Sequence, residues 1–117
     1  MVDYENISEL LKKYGKDPLE IDFELVNITD AQVERAREVA RLFYSSRIWR
    51  KSAQLGEPVS LIGYINVITR VINRFPGEIL NDFKVAHHLK YITIYQGQNQ
   101  KLCIKQGEMK DEFLVSQ

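Results

Sequence analysis

Between Pro58 and Phe75 the apolar residues Leu61, Ile62, Tyr64, Ile65, Val67, Ile68, Val71, Ile72 and Phe75 recur with the 3.6-residue period of a helix. They cover more than half of its circumference and leave Gly63, Asn66, Arg70, Asn73 and Arg74 to share the remaining arc. A helix apolar over so wide an arc is stable only when other elements surround it. Its β-branched residues lower helix propensity by only ~0.5 kcal/mol each, which burial overrides. The segment 58–75 is therefore expected to be the central helix of a core, and the rest of the chain must supply what encloses it.

Upstream, Thr29 and Gln32 form a capping box, and Ile28 can staple onto Val33. Val33, Ala36, Ala40 and Phe43 then mark an apolar stripe whose continuation sets Arg47 in its middle. Either the helix bends near Ser45 and Ser46, or Arg47 is buried and paired. Gly56 and Pro58 close this segment, because glycine accepts a left-handed cap and proline cannot continue a helix interior. Downstream, Pro76-Gly77-Glu78 restarts a helix with proline in its first turn. Ile79, Leu80, Phe83 and Ala86 form its buried side, and Asn81, Lys84, Val85 and His88 point away. The period then changes to two. Ile92 and Ile94 alternate with Tyr91, Thr93 and Tyr95, and after Gly97-Gln98-Asn99-Gln100 the residues Leu102 and Ile104 alternate with Lys101, Cys103 and Lys105. Two alternating runs around a short loop make a β-hairpin.

In the first third, Asn6 and Glu9 with Ile7, Leu10, Leu11 and Tyr14 at helical spacing give a short helix stopped by Gly15. Residues 20–26 set Ile21, Phe23 and Leu25 against Glu20, Asp22 and Glu24, the pattern of a half-buried strand. Phe113, Leu114 and Val115 imply that the tail docks on the body. The expected fold is a single α+β domain over residues 1–117: about four helices with a C-terminal β-hairpin at 91–105, joined by one N-terminal strand at 20–26 in a small antiparallel sheet.

Sixteen Lys plus Arg balance sixteen Asp plus Glu, which excludes a polycation and an acidic tail alike. The balance holds only in sum. Residues 1–34 carry nine acids against three lysines, a net of −6, whereas residues 35–74 carry eight cations against two acids, a net of +6. Such a chain either closes its two parts on each other or presents the basic part to an anionic partner. The one cysteine, Cys103, can form neither an internal disulfide nor a cysteine-based zinc site, and it reads as an ordinary strand residue beside Lys101 and Lys105. No 18-residue apolar run and no basic-then-apolar leader are present, so a cytoplasmic chain without membrane attachment is expected.

The six glycines are too far apart to cradle a pyrophosphate, and no G-x-S-x-G elbow occurs. His87 and His88 are adjacent and diverge by about 100° on a helix, so they cannot clamp one metal. His87 reads as a hydrogen-bonded residue at the core edge and His88 as solvent-facing. No catalytic residue, metal or cofactor is expected, and the function expected is binding.

Three constellations are candidates. Arg47, Arg50 and Lys51 flank Trp49 and can grip phosphates, or else form a solvated helix end with the indole in the core. They lack a local acidic partner, whereas Arg37 and Arg41 follow Glu34 and Glu38 by three residues and read as paired. Gly63, Asn66, Arg70 and Asn73 form a polar arc that either meets a partner or is the wet side of a core helix. The third is the succession over roughly residues 30–105 of helix, turn, helix and hairpin, which resembles a winged helix-turn-helix in element order. That resemblance implies a regulator of double-stranded DNA. Arg47, Arg50, Lys51 and Lys101 would hold phosphates, Asn81, Lys84 and His88 would read base edges, and Asn99 would sit in the wing loop. The alternative is a protein-binding adaptor or inhibitor acting through the acidic face Glu20, Asp22 and Glu24 and the aromatic residues Trp49, Tyr91 and Tyr95. A homodimer is compatible with either.

Overall fold

A computed structural model describes residues 28–98 and 101–114. The helix expected at 6–15, the strand expected at 20–26 and the loop residue Asn99 lie outside the described residues. In chain order the elements are α1 (Asp30–Ser45), α2 (Arg47–Leu55), β1 (Val59–Ser60), α3 (Leu61–Ile72), α4 (Pro76–His88), β2 (Ile92–Gln96), β3 (Leu102–Gln106) and α5 (Asp111–Leu114). The described residues thus combine five helices with a three-stranded antiparallel sheet of order β1-β3-β2.

The capping box that opens α1 is closed in both directions. Gln32 N–H donates to Thr29 Oγ1 at 3.2 Å, and Thr29 N–H donates to Gln32 Oε1 at 2.8 Å. Ala36, Val39, Ala40, Phe43 and Tyr44 carry the helix into the core. At Ser46 the backbone turns extended (φ −80°, ψ 151°), and this one residue serves both neighbours. Its N–H donates to the Phe43 carbonyl, ending α1, while its Oγ accepts the Trp49 N–H at 3.1 Å, starting α2. Of the two outcomes open for Arg47, the bend is the one found, and Arg47 is exposed. Ser46→Ala is expected to cost about 1 kcal/mol by uncapping α2, measured as a shift of the urea midpoint. Gly56 in the left-handed region (φ 71°) ends α2.

The helix expected from Pro58 starts later and stops earlier. Val59 and Ser60 are extended and pair with Ile104 and Cys103, so the third strand among the described residues comes from within the segment read as helix. Pro58 has no N–H to give a helix, and Ser60 Oγ accepts the Gly63 N–H at 3.2 Å, which places the cap at 60. Asn73, with φ 51°, ends α3. Tyr64, Ile65 and Ile68 are buried as expected, but Val67, Val71 and Phe75 are exposed. The apolar arc is wider than the core it faces.

The more enclosed helix is α4, which packs against α1, α3 and β2. Ile79, Leu80, Phe83 and Ala86 are buried as the spacing implied. Lys84 and Val85, expected to point outward, are buried as well, at 3% and 1% exposure. Enclosure from three sides narrows the polar arc beyond what periodicity alone conveys. A similar correction applies to Cys103, which is buried rather than sharing a wet face with Lys101 and Lys105. It stands across from Tyr95 on the central strand, and the turn at Gly97 folds over it closely: a Cβ at 97 would lie 2.9 Å from the Cys103 Sγ.

The tail docks, as expected, through residue 114. The Phe113 ring stacks on Tyr44 (centroids 5.4 Å apart, 18° between planes) and meets Tyr91 edge-on at 5.2 Å. The Arg37 guanidinium lies 5.5 Å from the Tyr91 and the Phe113 ring centres and 3.5 Å from Glu112 Oε1. Arg37 is therefore paired through the fold with Glu112 and not along its own helix with Glu34. Tyr91, read as facing outward, is buried in this cluster.

Candidate nucleic-acid interface

The basic candidates on α2 are presented as the sequence implied. Arg47, Arg50 and Lys51 are exposed, and none forms an ion pair among the described residues. Among the described residues, Arg50 Nη2 reaches only the Ser45 carbonyl, at 3.3 Å. Trp49 between them is half-buried and packs edge-on to Tyr44 at 5.2 Å and tilted to Phe43 at 6.4 Å. It anchors α2 to α1, which leaves the cations outward but removes the indole as a stacking platform.

Lys51 lines one side of a cleft of about 250 Å³ whose other walls include Ile48, Glu57, Ser60 and Gly63. This cleft opens at the first turn of α3, where the helix dipole is positive. Lys101 is exposed at the start of β3. Because Ser60 pairs with Cys103, Lys101 lies at the same end of the sheet as that first turn.

The candidates on α4 fare differently. His88 is exposed and Asn81 is half-buried, whereas Lys84 is buried and has an interaction partner. Lys84 is thus not available to read a base edge. The two groups are also set apart. Helix α2 packs on β1, α4 packs on β2, and β3 lies between, so the α2 cations and the α4 polar residues lie toward opposite edges of the sheet, with Lys101 on the central strand. The polar arc of α3 does not act as one row either, since Gly63 belongs to the cap and Asn73 to the helix end.

Beside α4 lies a cluster that the spacing of residues along the chain does not reveal. Asp82 is buried, with Arg74 Nη2 bonded to Oδ2 and Arg35 Nε 3.5 Å from Oδ1, and Arg74 Nε lies 3.6 Å from Glu78. With Gly77 and Asn81 these residues line a polar cavity of about 520 Å³. Burial pushes the Asp82 carboxyl up from its ordinary value, and Arg74 and then Arg35 pull it part of the way back. Arg74 and Glu78 are four residues apart, but no local pattern signals that Arg74 and Arg35 converge on Asp82, because the arginines arrive from the link between α3 and α4 and from α1.

His87 takes the role expected of it: Nδ1 accepts the Ile94 N–H at 3.0 Å, tying α4 to β2. Burial, with His88 adding to it, lowers its pKa. The unfolded chain therefore takes up the proton first. The stability this contributes is complete above a pH of about 6.5 and is lost as the pH falls from there through the lowered folded value. In urea titrations, the advantage of the native protein over His87→Gln should shrink between about pH 7.5 and pH 5. A constant difference over that range would show that His87 does not titrate with folding.

Among the described residues, no group of three or more His, Cys, Asp or Glu is placed to hold a metal ion, and no helix is long and apolar enough to cross a membrane. Compared with protein-family models, curated proteins and solved structures, the chain matches none.

Proposed function

We propose that this chain is a non-enzymatic DNA-binding regulator of winged-helix type. The observation that carries the reading is the connection of the sheet. Two helical segments lead into the short β1, α3 and α4 follow as a pair joined by a tight link, and the hairpin β2-β3 returns so that β3 lies against β1. A hairpin placed beside a helix pair in this way is the frame in which a wing accompanies a helix-turn-helix.

In this reading Arg47, Arg50, Lys51 and Lys101 hold phosphates. All four are exposed, and Lys51 and Lys101 stand at the end of the sheet where α3 begins. Asn81 and His88 remain for base edges, while Lys84 drops out and Asn99 lies outside the described residues. A narrow polar arc on α4 makes phosphate binding the larger share of the affinity, so strong salt dependence and modest sequence preference are expected. The protein-binding alternative is less well supported, because two of its aromatic anchors are engaged within the fold: Tyr91 against Arg37 and Phe113, Trp49 against Tyr44.

Fluorescence anisotropy on random and selected duplexes at two salt concentrations tests it. Neutralising Arg47, Arg50, Lys51 or Lys101 is expected to weaken binding on all sequences and to flatten the salt slope by about one unit for each phosphate no longer held. Replacing Asn81 or His88 is expected to cost about 1 to 3 kcal/mol on a preferred site and little on random duplex. Binding no tighter than about 10 μM at low salt would overturn the reading, since nonspecific binders usually reach that range.

A further inference from the structure

The surface of α3 holds an apolar feature that neither the core nor the basic group uses. Val67 and Val71, one helical turn apart, are 46% and 67% exposed, and Phe75 beyond the helix end is 76% exposed. Val67 and Val71 share one face of α3 and Phe75 follows shortly after its end, and large apolar side chains left exposed together on a small domain mark a contact surface. Arg70 stands beside them, exposed and without an ion pair among the described residues. At the far end, the Glu78 side chain is 57% exposed.

We propose that this face is the docking surface for the chain's own residues 3–14. That segment repeats the required chemistry in its sequence. Ile7, Leu10, Leu11 and Tyr14 fall at i, i+3, i+4 and i+7, enough to cover two turns of an apolar face. Its charges are ordered: Asp3, Glu5 and Glu9 come first, Lys12 and Lys13 last. Laid parallel to α3, the acids meet Arg70 and the lysines meet Glu78.

The tether allows it. Arg35, early in α1, and Arg74, next to Phe75, both bond Asp82, so the chain enters α1 on the side of the molecule where the apolar face ends. Residues 15–27, at ~3.3 Å each, span up to roughly 43 Å, which exceeds the longest extent of the described residues, 38 Å. A second copy fits less well. A two-fold contact centred on Val71 would bring Arg70 of each chain toward its like, whereas the first third of the chain carries a net charge of −6.

The test uses the full chain with the photo-cross-linker benzoylphenylalanine in place of Phe75, irradiated at low concentration and mapped by mass spectrometry. The expected product has the mass of one chain, with the link falling within residues 3–14. Arg70→Glu is expected to lower its yield several-fold, and adding Glu9→Arg to restore it. Leu10→Asp with Leu11→Asp should abolish the link while the circular dichroism of the body is unchanged. A product of twice the chain mass would assign the face to a second copy, and a link elsewhere, or none, would leave it without this occupant. Either result overturns the proposal. Since no DNA is present, the outcome is independent of the DNA reading.

Discussion

Asp82→Ala is expected to destabilise the protein by about 3 kcal/mol, the low end of the range for breaking a buried ion pair. The Asp82 carboxylate is the only acid that both Arg35 and Arg74 reach among the described residues, and through it α4 is fixed to α1 and to the end of α3. Removing it strands Arg74, whose side chain is 20% exposed and, among the described residues, keeps only Glu78 at 3.6 Å. The Arg35 side chain is 44% exposed and can turn to water, which is why the cost falls at the low end. Pairing Asp82→Ala with Arg74→Ala in a double-mutant cycle should give a clear coupling, of about 0.5 to 3 kcal/mol. Replacing all three residues with apolar ones of similar volume should recover much of the loss, because desolvating the charges offsets much of their attraction. A single-mutant loss under about 1 kcal/mol would mean that the cluster does not hold α4 in place.

What could be read from the sequence was what neighbouring residues decide between themselves. Thr29 with Gln32 closes a cap within one turn, Gly56 ends α2 within one residue, and the alternation on either side of Gly97 forms its hairpin. The strand β1 could not be read, since two residues have no period and Val59 continues the apolar run of α3. Its identity is decided by Ile104 and Cys103, far along the chain. The burial of Lys84 and Val85 was hidden for a related reason: a helical wheel shows where apolar residues lie but not how many elements will close around them. The same division runs through the candidate site. That Arg47, Arg50 and Lys51 lack a local ion pair was legible from the absence of an acid at helical spacing, whereas the partners of Arg37 and Arg74 come from other elements. Tyr91, an interface anchor in the protein-binding alternative, turned inward, and of the two places open to the Trp49 indole the packed one is found, because aromatic residues on separate elements found each other.

Tyr44→Phe carries the other large effect, and it isolates a single oxygen. The Tyr44 hydroxyl donates to the Tyr91 carbonyl at 2.5 Å and accepts the Gly107 N–H at 2.9 Å. Burial pushes its pKa up, with the Gly107 N–H pulling back, so the proton stays on the oxygen and the donated bond persists at neutral pH. These two bonds join α1 to the start of β2 and to the end of β3, so the hydroxyl closes the open end of the hairpin. Gly107 has little freedom to find another partner: a Cβ there would lie 2.5 Å from the Lys90 carbonyl oxygen and 2.8 Å from Ile92 N. Phenylalanine keeps the ring packing with Phe43, Trp49 and Phe113 but leaves a buried donor and a buried acceptor unpaired. At about 1 to 3 kcal/mol for each unsatisfied group, a loss of about 2 to 6 kcal/mol in urea unfolding is expected. Amide exchange at Gly107 should accelerate more than at Ile65, because the break is local to the hairpin end. Tyr91→Phe provides the contrast: its hydroxyl meets Arg37 only at 3.5 Å, and its removal should cost under about 0.5 kcal/mol. Equal losses for the two variants would show that ring packing, and not the Tyr44 oxygen, holds the hairpin to α1.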